Sequence, residues 1–439
     1  MLNIRSSAGR RLLLSLPFIT KKEELEKKMN DNATFLALWN DKKWEQEFSI
    51  LAVKLSQLRD IKTTIKHLSD KNRLDDVELF EIKHFAILSE TIREILLKIK
   101  LTNVHLPNLS EVIQILDPEN KQIPHFYIYN QYSNELEEIR KKMDLAEPNE
   151  KEQLYVEAEK IEDNIRAKLS EKLVCFNEVL SQSLTELAQL DISLAKAELT
   201  TQFSLTRPGF SDLHTIVAGM FHPQLADVLS NTGNAFQKID IEIRSEPTII
   251  TGANMAGKTV LLKTVALIQT LAQYGFYVPA VSAQLIPVEK IYISSGDSQN
   301  ELNGLSSFAA EMIQLNEMAQ SVKKGKKILV LIDELARTTN PKEGQAIVCG
   351  MTDFLIHHQI LALITTHYSI GLNCRKLRVK GFTYPENKEK IDFKNINQYI
   401  DYSLEESSDG SVPHEALQIA EIIGVDEEIL QRTKAFLKD

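Results

Sequence analysis

The sequence predicts an all-α domain over residues 1–206 followed by an α/β domain over residues 207–439. Three observations carry that expectation. Of the 16 glycines only Gly9 precedes Gly209, and a glycine-free stretch suits helices because glycine costs about 1 kcal/mol relative to alanine in a helix interior. The first half repeats apolar residues every three or four positions, the period of a buried helical face. The second half carries short, wholly apolar runs separated by helical stretches, the pattern of a mostly parallel sheet covered on both faces. The boundary falls near Arg207, Pro208 and Gly209.

In the first half, Leu79, Ile82, Phe85, Leu88, Ile92, Ile95 and Ile99 form one helical stripe. Residues 124–129, His-Phe-Tyr-Ile-Tyr after a proline, read as a short strand. Asn134 is the expected cap of the next helix, with Glu137 as its reciprocal partner. Residues 144–150, which include Pro148, read as a hairpin between two long helices, and Leu169, Val174, Leu180, Leu184, Leu187 and Leu194 mark the return. In the second half the runs at 248–251, 291–293, 328–332 and 361–365 are the expected strands.

Composition bounds the rest. The chain has 439 residues, 43% of them hydrophobic and 26% charged, as in a globular protein of two domains. No run is long and apolar enough for a transmembrane helix. The apolar stretch near the start is short and lacks a small-residue cleavage site, so a secretion signal is not expected. The 3 cysteines, Cys175, Cys349 and Cys374, are widely spaced and suit a reducing cytoplasm better than a disulfide framework. The 51 basic residues against 61 acidic ones leave a net charge of −10, which opposes a tight, sequence-blind grip on DNA.

Chemistry concentrates at four places. Gly252, Ala253, Asn254, Met255, Ala256, Gly257, Lys258 and Thr259 satisfy the phosphate-binding pattern G-x4-GK-[ST]. The glycines let backbone N–H groups turn toward phosphate oxygens, and the following helix adds its positive end. Lys258 would reach the outer phosphates, and Thr259 would offer its hydroxyl to Mg2+. The apolar strand 328–332 runs into Asp333, a candidate Mg2+ ligand, and Glu334, a candidate general base for an attacking water. His367, after Thr365 and Thr366 at the next strand's end, is placed to touch a γ-phosphate or that water. Ser306 and Ser307 open a helix, where small hydroxyl residues either cap it or bind an anion.

In this order the four motifs resemble the ATPase domain of the MutS family, a P-loop fold related to the ATPases of ABC transporters. The loop TGANMAGKT is similar to the family's TGPNMGGKS. DELARTTNPKEG, with Arg337, Thr339, Glu343 and Gly344, is similar to its acidic motif, and Thr366, His367 and Tyr368 match its THY. Asn303 to Phe308 stand where the family has SGRSTF, and Phe221, His222 and Pro223 resemble the opening of the domain. The first half resembles the helical lever domain. The resemblance implies an ATPase that uses ATP and Mg2+, works as a homodimer with composite sites, and presents Ser306 to the γ-phosphate bound by the partner subunit.

There are departures. No mismatch-reading domain is expected ahead of the lever, the space for a DNA clamp is reduced to the hairpin at 144–150, Leu305 replaces an arginine, and Ala336 and Thr338 replace glycines. Two functions fit. One is a cytoplasmic switch in mismatch-repair-related DNA transactions, with weak DNA binding and no membrane partner. The other is ATP-driven remodelling of a protein partner, such as reactivation of a cobalamin-dependent aminomutase.

Overall fold

The computed structural model describes residues 2–253, 256–295, 307–337, 339–382, 398–407, 417, 420–421 and 424–436. The chain forms two compact units, one from Met1–Pro17 with Asn30–Thr201 and the other from Phe18–Met29 with Gln202–Asp439.

The described residues of the first unit are helical: α1 (Ser7–Leu14), most of α2 (Lys22–Trp39), α3 (Glu45–Ser56), α4 (Lys62–Ser69), α5 (Asp76–Lys98), α6 (Ser110–Leu116), α7 (Asn134–Leu145), α8 (Pro148–Leu173) and α9 (Asn177–Phe203). A reciprocal capping box between Asp75 and Glu78 starts α5. Its buried face holds Leu79, Ile82, Phe85, Leu88, Ile92 and Leu96. Leu96 takes the place expected of Ile95, because 3.6 residues per turn carries the stripe one position on. Only Ala146 and Glu147 join α7 to α8.

Two expectations for this half are corrected. Residues 124–129 form no strand. Their backbone is held by side chains instead. The buried Lys83 Nζ donates to the carbonyls of Ile123 and His125, 3.0 Å each. Asp117 accepts from the amides of Lys121 and Gln122 and from the Tyr129 hydroxyl. The cap of α7 is Ser133, whose hydroxyl accepts from the Leu136 amide, and Asn134 is already helical.

The second unit contains β1 (Gly209–Phe210), β2 (Thr215–Met220), α10 (Pro223–Asn231), β3 (Ile239–Ile243), β4 (Pro247–Thr251), α11 (Lys258–Gln273), β5 (Ser282–Leu285), β6 (Lys290–Ser295), α12 (Ser307–Lys323), β7 (Ile328–Asp333), α13 (Pro341–His357), β8 (Leu361–Thr365), β9 (Arg375–Phe382), β10 (Ile400–Glu406) and α14 (Glu427–Phe436). Its main sheet has six strands in the order β10-β9-β4-β8-β7-β6. All neighbours are parallel except β9 and β10. Every residue of β4 and β8 is buried, which is why these strands read as unbroken apolar runs. A second sheet of four strands, β1-β5-β2-β3, had no counterpart in the sequence reading.

Register brings the chemistry together. Thr365 at the end of β8 lies opposite Asp333 of β7 on one side and Ile250 of β4 on the other. The carboxyl ends of three adjacent strands therefore meet, and the loop leaving β4 rises beside them, the usual ligand edge of an open parallel sheet. Among the described residues no helix is long and apolar enough to cross a membrane.

Candidate functional site

The loop after β4 turns at two glycines. Gly257 has φ +71°, a left-handed conformation that glycine adopts without strain. It is also crowded: a Cβ there would stand 3.0 Å from the Tyr402 ring. Lys258 begins α11 and is 4% exposed. Its Nζ donates to the carbonyls of Gly252 at 2.7 Å and Ala253 at 3.2 Å, and it pairs with Glu334 Oε1 at 3.3 Å. The next residue, Thr259, donates its hydroxyl to Asp333 Oδ2 at 2.5 Å. Residues 74 positions apart thus meet as a hydroxyl and a carboxylate. Both are hard oxygen donors of the type Mg2+ takes, so the pair fits that ion. Among the described residues no cluster of three or more His, Cys, Asp or Glu could hold a metal alone. A cation here would draw its remaining oxygens from phosphate and water, as Mg2+ commonly does.

The acidic pair is held by β8. Thr365, fully buried, donates its hydroxyl to Asp333 Oδ1 at 2.6 Å. The Glu334 amide in turn donates to the Thr365 carbonyl at 3.1 Å and hydroxyl at 3.2 Å. Glu334 has φ +51° and Ala336 φ +58°. Two non-glycine residues in the left-handed region cost about 1–2 kcal/mol each, a strain of the kind that gathers at functional sites.

Of the sequence-predicted residues, Gly252, Ala253, Ala256, Gly257, Lys258, Thr259, Asp333 and Glu334 surround this point. His367 is exposed, and its ring lies against Tyr368, centroids 4.1 Å apart. No hydrogen bond or ion pair among the described residues joins it to Lys258, Asp333 or Glu334. Asn254, Met255 and Ser306 lie outside the described residues, as do Thr338 and residues 303–305 of the helix-opening motif.

Several contributors escaped sequence reasoning. Thr365, rather than His367, grips both acids. A cavity of about 600 Å3 adjoins Gly257 and the first turn of α11, lined by Val228, Phe236, Gln237, Val260 and Tyr402 among others. A clasp holds this wall: Gln237 Nε2 donates to Asp401 Oδ1 at 2.7 Å, and the Tyr402 amide donates to Gln237 Oε1 at 2.9 Å. The Ser403 hydroxyl first, then Gln237, pulls the Asp401 carboxyl down to about 2. No local motif marks these residues; the contacts span more than 160 positions.

Gly344 of α13 shows close approach of another kind. A Cβ there would collide with the Tyr368 hydroxyl. Gly344→Ala should therefore displace Tyr368 and destabilise the fold by about 1–3 kcal/mol in denaturant unfolding, the usual cost of overpacking. With Tyr368→Phe, which deletes the crowded oxygen, the same alanine should cost less than in the wild-type background, with the Tyr368 ring carbon at 3.0 Å and the Ala336 carbonyl at 3.1 Å still opposing the helix preference of alanine.

A parallel sheet whose β4 leads through a glycine loop into a lysine-headed helix, beside a strand ending in two acids, defines a domain of the P-loop class. Residues 248–439 match the family model of MutS domain V. Homology to MutS and MutS2 proteins extends over much of the remaining chain, and the chain belongs to the MutS family. It is 30% identical over 294 residues to Endonuclease MutS2 of Thermus thermophilus, covering 66% of this chain and 37% of the relative. Against the DNA mismatch repair protein MutS of Thermus aquaticus it is 30% identical over 308 residues, 68% of this chain and 36% of the relative. With Endonuclease MutS2 of Staphylococcus epidermidis the match is weaker, 25%, but takes in 97% of this chain and 55% of the relative. The chain thus spans between 37% and 55% of the length of the two MutS2 relatives.

Proposed function

We propose that this chain binds and hydrolyses Mg2+-ATP and that the cycle drives a conformational switch in DNA transactions related to mismatch repair. The helical domain, residues 1–206, transmits the change, and residues 207–439 bind the nucleotide. The observation that carries the reading is the pair of contacts Lys258 to Glu334 and Thr259 to Asp333, which bring a phosphate-binding loop and an acidic strand end to one point.

The roles follow from the donors. The loop amides of 252–259 and Lys258 Nζ bind the outer phosphates. Thr259 and Asp333 hold Mg2+, which when bound neutralises phosphate charge. Glu334 accepts a proton from the attacking water, and Lys258 keeps its carboxylate oriented toward the phosphates. His367 lies on the turn that follows Thr365 and reaches the γ-phosphate or the water. The cavity beside Gly257, walled by Phe236, Val260 and Tyr402, receives the nucleoside, because aromatic and aliphatic walls suit a flat base.

In this reading the active unit is a cytoplasmic homodimer, and Ser306 meets the γ-phosphate across the interface. Mixing Lys258→Ala with Ser306→Ala, each inactive alone, would create one site with both defects and one with neither. Partial recovery of ATPase activity is the expected outcome. No recovery in confirmed heterodimers would return Ser306 to its own subunit.

The net charge of −10 favours only weak duplex binding that falls steeply with salt. A second reading, ATP-driven remodelling of a protein partner such as a cobalamin-dependent aminomutase, draws support from the link between α7 and α8. Two residues there leave nothing inserted where the resembled family carries its DNA clamp. Nanomolar preference for mismatched over matched duplex at physiological salt would exclude that second reading.

A further inference from the structure

The strained turn after β7 is held at two points, and only one belongs to the nucleotide site as described. At Glu334 the amide is fixed by Thr365 of β8. Two residues later the Ala336 amide donates to Glu311 Oε2 at 3.2 Å. Glu311 comes from α12, the helix that opens at Ser307, and it is 5% exposed. This is the only hydrogen bond the Glu311 side chain makes among the described residues. Leu335 and Ala336 sit in the same core cluster against which Phe308, Met312 and Leu315 of α12 pack. On the far side, the Ala336 carbonyl accepts from the Thr339 amide at 3.3 Å and, at the long limit of 3.5 Å, from the Tyr368 hydroxyl.

A carboxylate rarely enters a core without a strong reason. Among the described residues it pairs with no cation, and burial pushes its pKa up. What it offers is an acceptor for an amide that no sheet or helix partner satisfies. That amide belongs to an alanine at φ +58°, where a residue other than glycine resists the conformation. Release of the amide would let residues 334–337 relax, and Glu334, whose own φ is +51°, would lose its aim.

We propose that Glu311 is a positioning residue for Glu334: by accepting the Ala336 amide it clamps the left-handed turn and ties the aim of the general base to the seating of α12. Movement of α12 would then be felt at Glu334 without any contact to nucleotide. This inference rests on the ATPase reading for its kinetic consequences, but the clamp itself can be tested without turnover.

The test compares Glu311→Gln with Glu311→Asp in the full chain. Glutamine keeps the length and the acceptor and drops the charge. Aspartate keeps the charge and falls one methylene short. A hydrogen-bonded clamp predicts kcat within about threefold of wild type for Glu311→Gln and at least about tenfold lower for Glu311→Asp, with nucleotide affinity held within about twofold in both. Adding Ala336→Gly, which adopts the turn without strain, should recover much of the aspartate defect. Hydrogen exchange at the Ala336 amide should quicken about tenfold or more in Glu311→Asp and stay near wild type in Glu311→Gln. The reverse order of activities, an equal loss of nucleotide affinity, strict additivity with Ala336→Gly, or an unchanged amide exchange rate would each overturn the clamp. Absence of wild-type hydrolysis would overturn the ATPase reading instead, and the exchange measurement would still decide the clamp.

Discussion

Lys258→Ala should leave a folded protein that binds ATP about a hundredfold or more weakly. The side chain is buried and fully used: two loop carbonyls and Glu334 surround its Nζ. Those partners gather negative charge at the point where triphosphate must enter. Without the ammonium, the phosphates would face Asp333 and Glu334 with no cation from the loop. Charge-assisted hydrogen bonds are worth about 1.5–3 kcal/mol each, so loss of more than one of them lowers affinity by about a hundredfold or more. Calorimetric titration with Mg2+-ATP measures this directly. Unchanged affinity would remove 252–259 from the nucleotide site.

Glu334→Gln should separate binding from chemistry. The amide oxygen still accepts from Lys258, and the Glu334 backbone contacts to Thr365 do not depend on the side chain. Binding should therefore persist. The missing group is the proton acceptor, and general-base catalysis contributes about a hundredfold or more. Single-turnover hydrolysis should slow by at least that factor while ATP stays bound. An unaffected rate would place the base elsewhere, with His367 the next residue to test.

What the sequence disclosed depended on whether the responsible residues were neighbours in the chain. The loop 252–259 was legible because its chemistry needs a fixed spacing within eight residues. Strands β4, β7 and β8 were legible because strands buried on both faces carry no polar alternation. Residues 124–129 misled because alternating aromatics suggest a strand, while the decisive partners, Lys83 and Asp117, come from elsewhere in the chain. The cap at Ser133 was missed by one position, the ordinary error of a helix boundary.

The four-stranded sheet escaped because its strands alternate buried and exposed residues and form no wholly apolar run, and because pairings join distant segments, β1 with β5 and β5 with β2. At the site, Asp333 and Glu334 were visible at a strand end, but Thr365 and Glu311 acquire their roles through contacts from other elements. Phe236, Gln237 and Tyr402 meet only after β10 pairs with β9 at the sheet edge. Spacing rules carry no trace of such contacts.

The most direct test is a crystal structure of the chain with Mg2+ and a non-hydrolysable ATP analogue. The phosphates should be seated in the loop against Lys258, with Mg2+ touching Thr259 and Asp333, Glu334 facing the γ-phosphate, and the base in the cavity between Phe236 and Tyr402. A nucleotide bound elsewhere on the chain, or a loop that stays closed on Lys258 at saturating analogue, would contradict this arrangement.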